Sequence, residues 1–190
     1  MAQRPLTVRR WSRDEYERLL ALGMCTDAPL ELIGGQLVVA EPEGRHHAAS
    51  VGLAGAVLSA ALPRGWAVRI QAPIALDDES EPEPDVAVVE GSHADYQRAH
   101  PRRAALVVEV AETSLAFDRG LKAAVYARGG VQDYWIVDLA ERALEVYRDP
   151  APSPAAPGGW HFRSVERFVA PAVVTLLAVP TARIPTSRLL

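Results

Sequence analysis

The pattern of apolar and polar positions in the first forty residues predicts a helix followed by a hairpin. Ser12 and Glu15 have the spacing of a capping box, and the apolar positions after them predict a helix that ends near Gly23. Residues 30–33 and 36–39 are two short apolar runs separated by a pair of glycines. This arrangement is typical of two strands that are joined by a tight turn.

A second helix is predicted over residues 46–61, where apolar residues recur at helical spacing on more than one side. A helix of this kind is buried on two sides. Gly52 and Gly55 within it indicate that another backbone approaches closely, either from a sheet or from a second subunit. The pattern therefore makes a homodimer through this helix an expectation.

The rest of the chain predicts strands with one further helix. The predicted strands are residues 66–71, 74–76, 86–89, 105–110, 134–137, 144–147, 160–165 and 173–177. The helix covers residues 116–128 and ends at two glycines, and residues 150–159, rich in Pro, Ala and Gly, are expected to form a loop. Residues 105–110 are continuously apolar apart from one acid, as a central strand covered on both faces would be.

These elements predict a mixed α/β (α+β) fold, in which a twisted sheet carries helices on at least one face. A chain of 190 residues has the size of one domain. We expect a core over residues 10–148 and a C-terminal extension of the same sheet over residues 160–190, which is too short for an independent core.

Composition excludes several classes of protein. No run of about 18 apolar residues and no signal-peptide pattern occur, so we expect a cytoplasmic protein without a membrane span. Cys25 is the only cysteine, which excludes an intrachain disulfide and a multi-thiolate zinc site. The formal net charge of -4 argues against a protein that coats nucleic acid, but it allows a local basic groove.

Two acids are the first candidates for chemistry. Glu109 follows five apolar residues, and burying its carboxylate costs several kcal/mol unless a cation or donor faces it. Asp85 follows Pro84 at the start of the strand over residues 86–89. Placed at corresponding ends of neighbouring strands, the two carboxylates can share a hard cation such as Mg²⁺. Alternatively, Glu109 lies at an exposed strand end or pairs with an Arg, and Asp85 makes a turn hydrogen bond.

Lys122 is the candidate third member, because it borders the apolar face of the helix that follows the Glu109 strand. It is also the only lysine among 20 basic residues. An ammonium can act as a point donor to a water, which the planar guanidinium of Arg does less well. The alternative is an exposed i,i+4 pair between Asp118 and Lys122, which stabilises a helix by about 0.3 kcal/mol.

These residues, with others in a fixed order, resemble a known family. The set consists of Glu31-Leu32-Ile33-Gly34-Gly35, Pro42, His46, Pro84-Asp85, Val108-Glu109-Val110, Asp118, Lys122, Tyr126, Gly130-Val131 and Tyr134-Trp135-Ile136-Val137. Between residues 10 and 147 the chain is similar to the Uma family of restriction endonucleases, within the PD-(D/E)XK nuclease superfamily. The resemblance implies a restriction-endonuclease-like fold and metal-dependent hydrolysis of phosphodiester bonds in nucleic acid, with DNA as the expected substrate.

The resemblance also implies roles for individual residues. Asp85 and Glu109 would be ligands of Mg²⁺ or Mn²⁺, Lys122 the catalytic lysine, and Glu31 an accessory acid at the metal or its waters. The superfamily lysine usually stands two residues after the second acid, where this chain has Ala111, so Lys122 would substitute for it from the helix.

The remaining candidates concern the substrate. His46 could reach the site as a phosphate contact or proton carrier, whereas zinc binding by His46 and His47 is disfavoured because adjacent helical residues point about 100° apart. Arg102 and Arg103, in a basic stretch with Arg98 and His100, could follow a nucleic-acid backbone or form a solvated loop. The rival function is a non-catalytic, oligomeric, nucleic-acid-binding module that retains the nuclease fold.

Overall fold

The computed structural model describes residues 7–24, 29–39 and 44–190, so Cys25 and Pro42 lie outside the described residues. Helix α1 is Arg13–Ala21, and the Ser12–Glu15 capping box forms at its start as predicted. The hairpin is also confirmed, with β1 over Leu30–Ile33 and β2 over Gln36–Val39. Its turn residues Gly34 and Gly35 both have positive φ, which glycine adopts without strain.

Six strands form the central mixed sheet. They are β3 (Trp66–Ile70), β4 (Val86–Glu90), β5 (Leu106–Ala111), β6 (Asp133–Asp138), β7 (Ala143–Pro152) and β8 (Trp160–Phe168). Their order in space follows the chain, and every neighbouring pair is antiparallel except β5 and β6. A parallel pair requires a crossover connection, which the chain between β5 and β6 provides.

The crossover is the helical segment predicted over residues 116–128, but it is not one regular α-helix. It consists of α3 (Leu115–Phe117), a π-helical turn (Asp118–Lys122) and α4 (Ala123–Arg128). The backbone N–H of Ala123 donates to the carbonyl of Asp118, five residues back. Widened turns of this kind occur frequently at functional sites.

Both faces of the sheet are covered. Helix α2 (Arg45–Ala61) packs on one face together with the C-terminal residues, which include β9 (Val173–Thr175) and β10 (Arg183–Pro185). Helix α4 packs on the other face. Because strand residues alternate between faces, Val108 and Val110 face α2, while Val107 and Ala111 face α4. The predicted mixed sheet with flanking helices is confirmed.

Three expectations about strands need correction. Residues 74–76 form no strand, because the loop after them folds back and the N–H groups of Ile74 and Leu76 bond to Pro82 and Ser80. Strand β7 extends to Pro152, because its pairing with β8 continues to Trp160 after its pairing with β6 has ended at Arg148, and proline is tolerated on a strand with one free edge. Strands β9 and β10 pair with each other in a separate sheet, although β8 does extend the central one.

The glycines of α2 differ from expectation. A Cβ at Gly55 would stand 2.6 Å from Cδ1 of Ile70, so the close neighbour there is a side chain of β3 and not another backbone. Gly52 has nothing within 4 Å of that position and is exposed, as is Leu53. The described part of the chain contains no helix that is long and apolar enough to cross a membrane.

Candidate active site of carboxylates and a lysine

Strand register brings Asp85 and Glu109 together. In the antiparallel pair of β4 and β5, Val86 stands opposite Val108, so the residue before β4 meets the residue after Val108. The backbone N–H of Asp85 lies 3.4 Å from Oε2 of Glu109, and the N–H of Val110 donates to Oδ2 of Asp85 at 2.7 Å. Both carboxylates are buried. Glu109 is therefore not an exposed strand end.

Glu109 has two further partners, both from the crossover segment. The hydroxyl of Tyr126 donates to Oε1 of Glu109 at 2.6 Å, and Nζ of Lys122 lies 3.1 Å from the same oxygen. Burial raises the pKa of Glu109 to about 8; the Lys122 ammonium opposes this shift, while Asp85, Asp118 and Glu31 add to it. The carboxylate thus lies in a pocket with more negative than positive charge.

Lys122 is buried at the end of the π-helical turn and does not form the exposed pair that its spacing from Asp118 allowed. Its Nζ lies 3.8 Å from Oε2 of Glu31 as well as close to Glu109. Burial acts to lower the pKa of Lys122, but Glu109, Glu31 and Asp118 outweigh it and leave the pKa above its usual value. The ammonium therefore stays protonated.

Glu31 enters the site from β1, and the acidic loop before β4 holds it. The backbone N–H of Glu83 donates to Oε2 of Glu31 at 3.0 Å. The N–H of Glu81 donates to the carbonyl of Leu32, which fastens the same loop to β1. Burial raises the pKa of Glu83, Glu31 adds to this, and Lys122 opposes it. The hairpin thus contributes an acid that the central sheet alone would not supply.

The structure brings together four residues singled out from the sequence, Glu31, Asp85, Glu109 and Lys122, and adds others. His47 approaches Asp85, Tyr126 binds Glu109, and Asp118 is buried where Ser114 donates to its Oδ2 at 2.5 Å. Tyr126 and Asp118 belong to the ordered motif set, which could have identified them. No sequence motif identifies His47, apart from its position next to His46.

The predicted substrate residues lie outside this cluster. The side chain of His46 is 66% exposed with Nδ1 3.7 Å from Glu112, whereas the side chain of His47 is 7% exposed and points to Asp85. Successive helical residues point about 100° apart, so only one of the two histidines can face the sheet. Arg102 and Arg103 are exposed in the segment that leads into β5.

The donor set suits a hard divalent cation. The part of the chain that the structure describes contains no group of three His, Cys, Asp or Glu side chains arranged to hold a metal ion. Two carboxylates are nevertheless sufficient for Mg²⁺, which retains several waters and takes further oxygens from a phosphate. Burial, with a smaller contribution from Asp85, Asp118 and Glu31, raises the pKa of Glu109, and a cation would offset the negative charge of these acids. Asp85 and Glu109 therefore fit the ion.

Comparison with known proteins identifies the fold and the family. No curated protein matches the chain. A crystal structure titled as a "putative nuclease belonging to DUF820" from Anabaena variabilis ATCC 29413 superposes with a TM-score of 0.68 at 17% identity, covering 94% of this chain and 96% of that one. It shares the fold. The model of the Uma2 family, described as "Putative restriction endonuclease", matches residues 13–176, and the chain therefore belongs to that family.

Proposed function

We propose that the chain is an endonuclease that depends on a divalent metal and hydrolyses phosphodiester bonds in nucleic acid, DNA foremost. Membership in the family supports a nuclease function in general terms. The observation that carries the specific proposal is the contact of Asp85, Glu109 and Lys122 in one buried cluster, drawn from three separate elements.

Asp85 and Glu109 would hold Mg²⁺ or Mn²⁺, with Glu31 as an accessory acid toward its waters. A bound cation of this kind polarises the scissile phosphate and lowers the pKa of a coordinated water. Tyr126 keeps the Glu109 carboxylate in place through the hydrogen bond from its hydroxyl. Burial raises the pKa of Tyr126 well above its usual value, so this hydroxyl keeps its proton and remains a donor.

Lys122 would act on the substrate side of the cluster. Its ammonium remains charged next to Glu109 and can orient a water or offset the negative charge that develops on the phosphate. Such stabilisation is strong where solvent is excluded, and Lys122 is buried. The acids hold the cation, and the lysine provides the fixed positive charge.

The experiment is cleavage of labelled single-stranded and double-stranded DNA and RNA with Mg²⁺ or Mn²⁺. Asp85→Ala and Lys122→Met should each reduce the cleavage rate by roughly 100-fold or more, because each removes a charge from the reacting centre. Asp149→Asn, at an exposed side chain in the Arg163 ion pair, is the matched control and should cleave like the wild type.

Undiminished cleavage by Asp85→Ala or Lys122→Met would place the reaction elsewhere. A wild-type protein that binds nucleic acid but cleaves none of the four substrates would favour the non-catalytic module instead. Both variants and the control are prepared in parallel. A contaminating nuclease would then give the same cleavage in all preparations.

Substrate contacts and assembly complete the proposal. Arg102, Arg103 and His46 are proposed to meet the nucleic-acid backbone outside the buried cluster, because all three are exposed and basic or polar. A homodimer through α2 is proposed because residues 47–63 contain no Asp, Glu, Lys or Arg and part of that segment is exposed.

A further inference from the structure

His47 is the polar residue on the buried side of α2. It shares that side with Val51, Ala54 and Leu58, which pack against the central sheet. Burying an imidazole costs free energy unless it has a hydrogen-bond partner. An apolar side chain at this position would have a lower desolvation cost. The position of His47 at the first turn of α2 brings it to Asp85.

The contact between the two side chains is direct and buried. Nε2 of His47 lies 3.2 Å from Oδ2 of Asp85, and the two side chains are 7% and 9% exposed. An ionised carboxylate only accepts hydrogen bonds, so the proton of this contact belongs to Nε2 of His47. A hydrogen bond from His47 to Asp85 requires the tautomer with hydrogen on Nε2.

Two donors converge on the same oxygen of Asp85. The backbone N–H of Val110 donates to Oδ2 at 2.7 Å, and His47 approaches Oδ2 from α2. Oδ1 accepts no hydrogen bond from any residue in the described ranges. Because one contact comes from β5 and the other from α2, the pair fixes the orientation of the carboxylate.

We infer that His47 is a positioning residue of the site, which holds Asp85 through Oδ2 so that Oδ1 is presented to the cation. This inference rests on the proposed function. It assigns α2 a part in the site that goes beyond packing. Hydrogen bonds behind a metal ligand typically change metal affinity or activity by about 10- to 100-fold when they are removed.

The test compares two substitutions of similar shape. His47→Met removes the donor, and His47→Gln retains an N–H donor near the place of Nε2. We expect His47→Met to weaken Mn²⁺ binding by about 10-fold or more in isothermal titration and to lower kcat with little change in KM for the nucleic acid. His47→Gln should have nearly the Mn²⁺ affinity and the kcat of the wild type. His161→Leu, which removes an exposed imidazole on β8, is the control and should match the wild type.

The outcomes separate this inference from the proposed function. If the wild type binds Mn²⁺ and cleaves, but His47→Met does so equally well, the inference about His47 is wrong and the nuclease stands. Equal weakening in His47→Gln and His47→Met would also overturn it, because only the shape of the imidazole would then matter. A wild type that neither binds Mn²⁺ nor cleaves would overturn the proposed function, and this inference with it.

A measurement on the wild type covers the case in which His47→Met does not fold. Long-range proton–nitrogen NMR spectra report which imidazole nitrogen carries hydrogen. We expect Nε2 of His47 to be protonated and its proton to be protected from exchange. A bare Nε2 would overturn the inference, since it could not donate to Asp85.

Discussion

Glu109 is an acid that the fold places against three other acids and one ammonium. Its pKa of about 8 arises first from burial, and Asp85, Asp118 and Glu31 add to the shift against the effect of Lys122. A carboxyl group with a raised pKa holds its proton in neutral solution, whereas a metal ligand must give the proton up. Under the proposed function, cation binding at Glu109 would therefore release a proton.

The coupling predicts that Mn²⁺ affinity rises with pH. The cation would bind the carboxylate form, and burial, which raises the pKa of Glu109, makes this form less abundant at low pH. Titration calorimetry at pH 6.5, 7.5 and 8.5 should give a falling Kd. At pH 7, buffers of different ionisation enthalpy should reveal proton release on binding.

The control for this prediction is Glu109→Gln, which carries no proton to release. Its remaining Mn²⁺ binding should be weaker and should vary less with pH than that of the wild type. An affinity for Mn²⁺ in the wild type that stays constant between pH 6.5 and 8.5 would contradict the coupling.

Residue-level patterns in the sequence identified the acids better than the histidine. Glu109 was recognisable because a charge within an apolar strand requires a partner, and the structure provides Lys122 and Tyr126. His46 and His47 are identical in type and adjacent, so only the rotation of α2 decides which of them is buried. Their functional roles, and those of the four predicted site residues, stay predictions.

At the scale of elements, α2 has an exposed outer face without charged side chains. Ala48, Gly52, Leu53, Ala56 and Ala60 are exposed on this helix, and no charged residue occurs between its first turn and Arg64. An uncharged outer face of small residues permits another helix to approach closely. This face is the basis of the proposed homodimer.

The dimer is tested by light scattering after size exclusion. The wild type should have about twice the mass of one chain, and Ala56→Arg should shift it to a monomer, because a charge would be buried in the contact. Ala155→Arg, at an exposed alanine between β7 and β8, is the matched control. A monomeric wild type, or a dimer unaffected by Ala56→Arg, would contradict the proposed contact.

The crossover segment is helical as predicted, but it contains a π-helical turn that was not predicted. Apolar spacing and the glycines that follow predicted a helix over residues 116–128. The π-helical turn within it makes tertiary contacts, such as the hydrogen bond from the Tyr134 hydroxyl to the carbonyl of Asp118 at 3.1 Å. The spacing of residues along the chain does not predict that hydrogen bond.

At the scale of the whole molecule, the charge distribution matters more than the total. The formal net charge is -4, and several acids are gathered in the buried cluster. The proposed nucleic-acid substrate would therefore approach over exposed basic residues, among which Arg102 and Arg103 adjoin β5. Phosphate contacts by such residues release counterions and make binding depend on salt.

We predict that Arg102→Glu combined with Arg103→Glu weakens DNA binding and flattens its dependence on salt. The slope of log affinity against log salt should decrease in magnitude by about 0.9 for each phosphate contact that is lost. Fluorescence anisotropy in EDTA measures binding without cleavage. Arg163→Glu with Arg183→Glu makes the same change of charge at exposed positions on β8 and β10. If both double variants behave alike, Arg102 and Arg103 have no special part in binding.

Local patterns determined much of this protein by themselves: the capped first helix, the glycine hairpin, the buried central strand and the two acids near strand ends. These features depend on neighbours in sequence, on side-chain period and on the cost of burying charge. Tertiary structure alone decided which groups meet. Strand register sets Asp85 against Glu109, the π-helical turn directs Lys122 inward, and the rotation of α2 selects His47 over His46. Such contacts join distant parts of the chain. Their energies depend on tertiary packing, which a local sequence pattern does not determine.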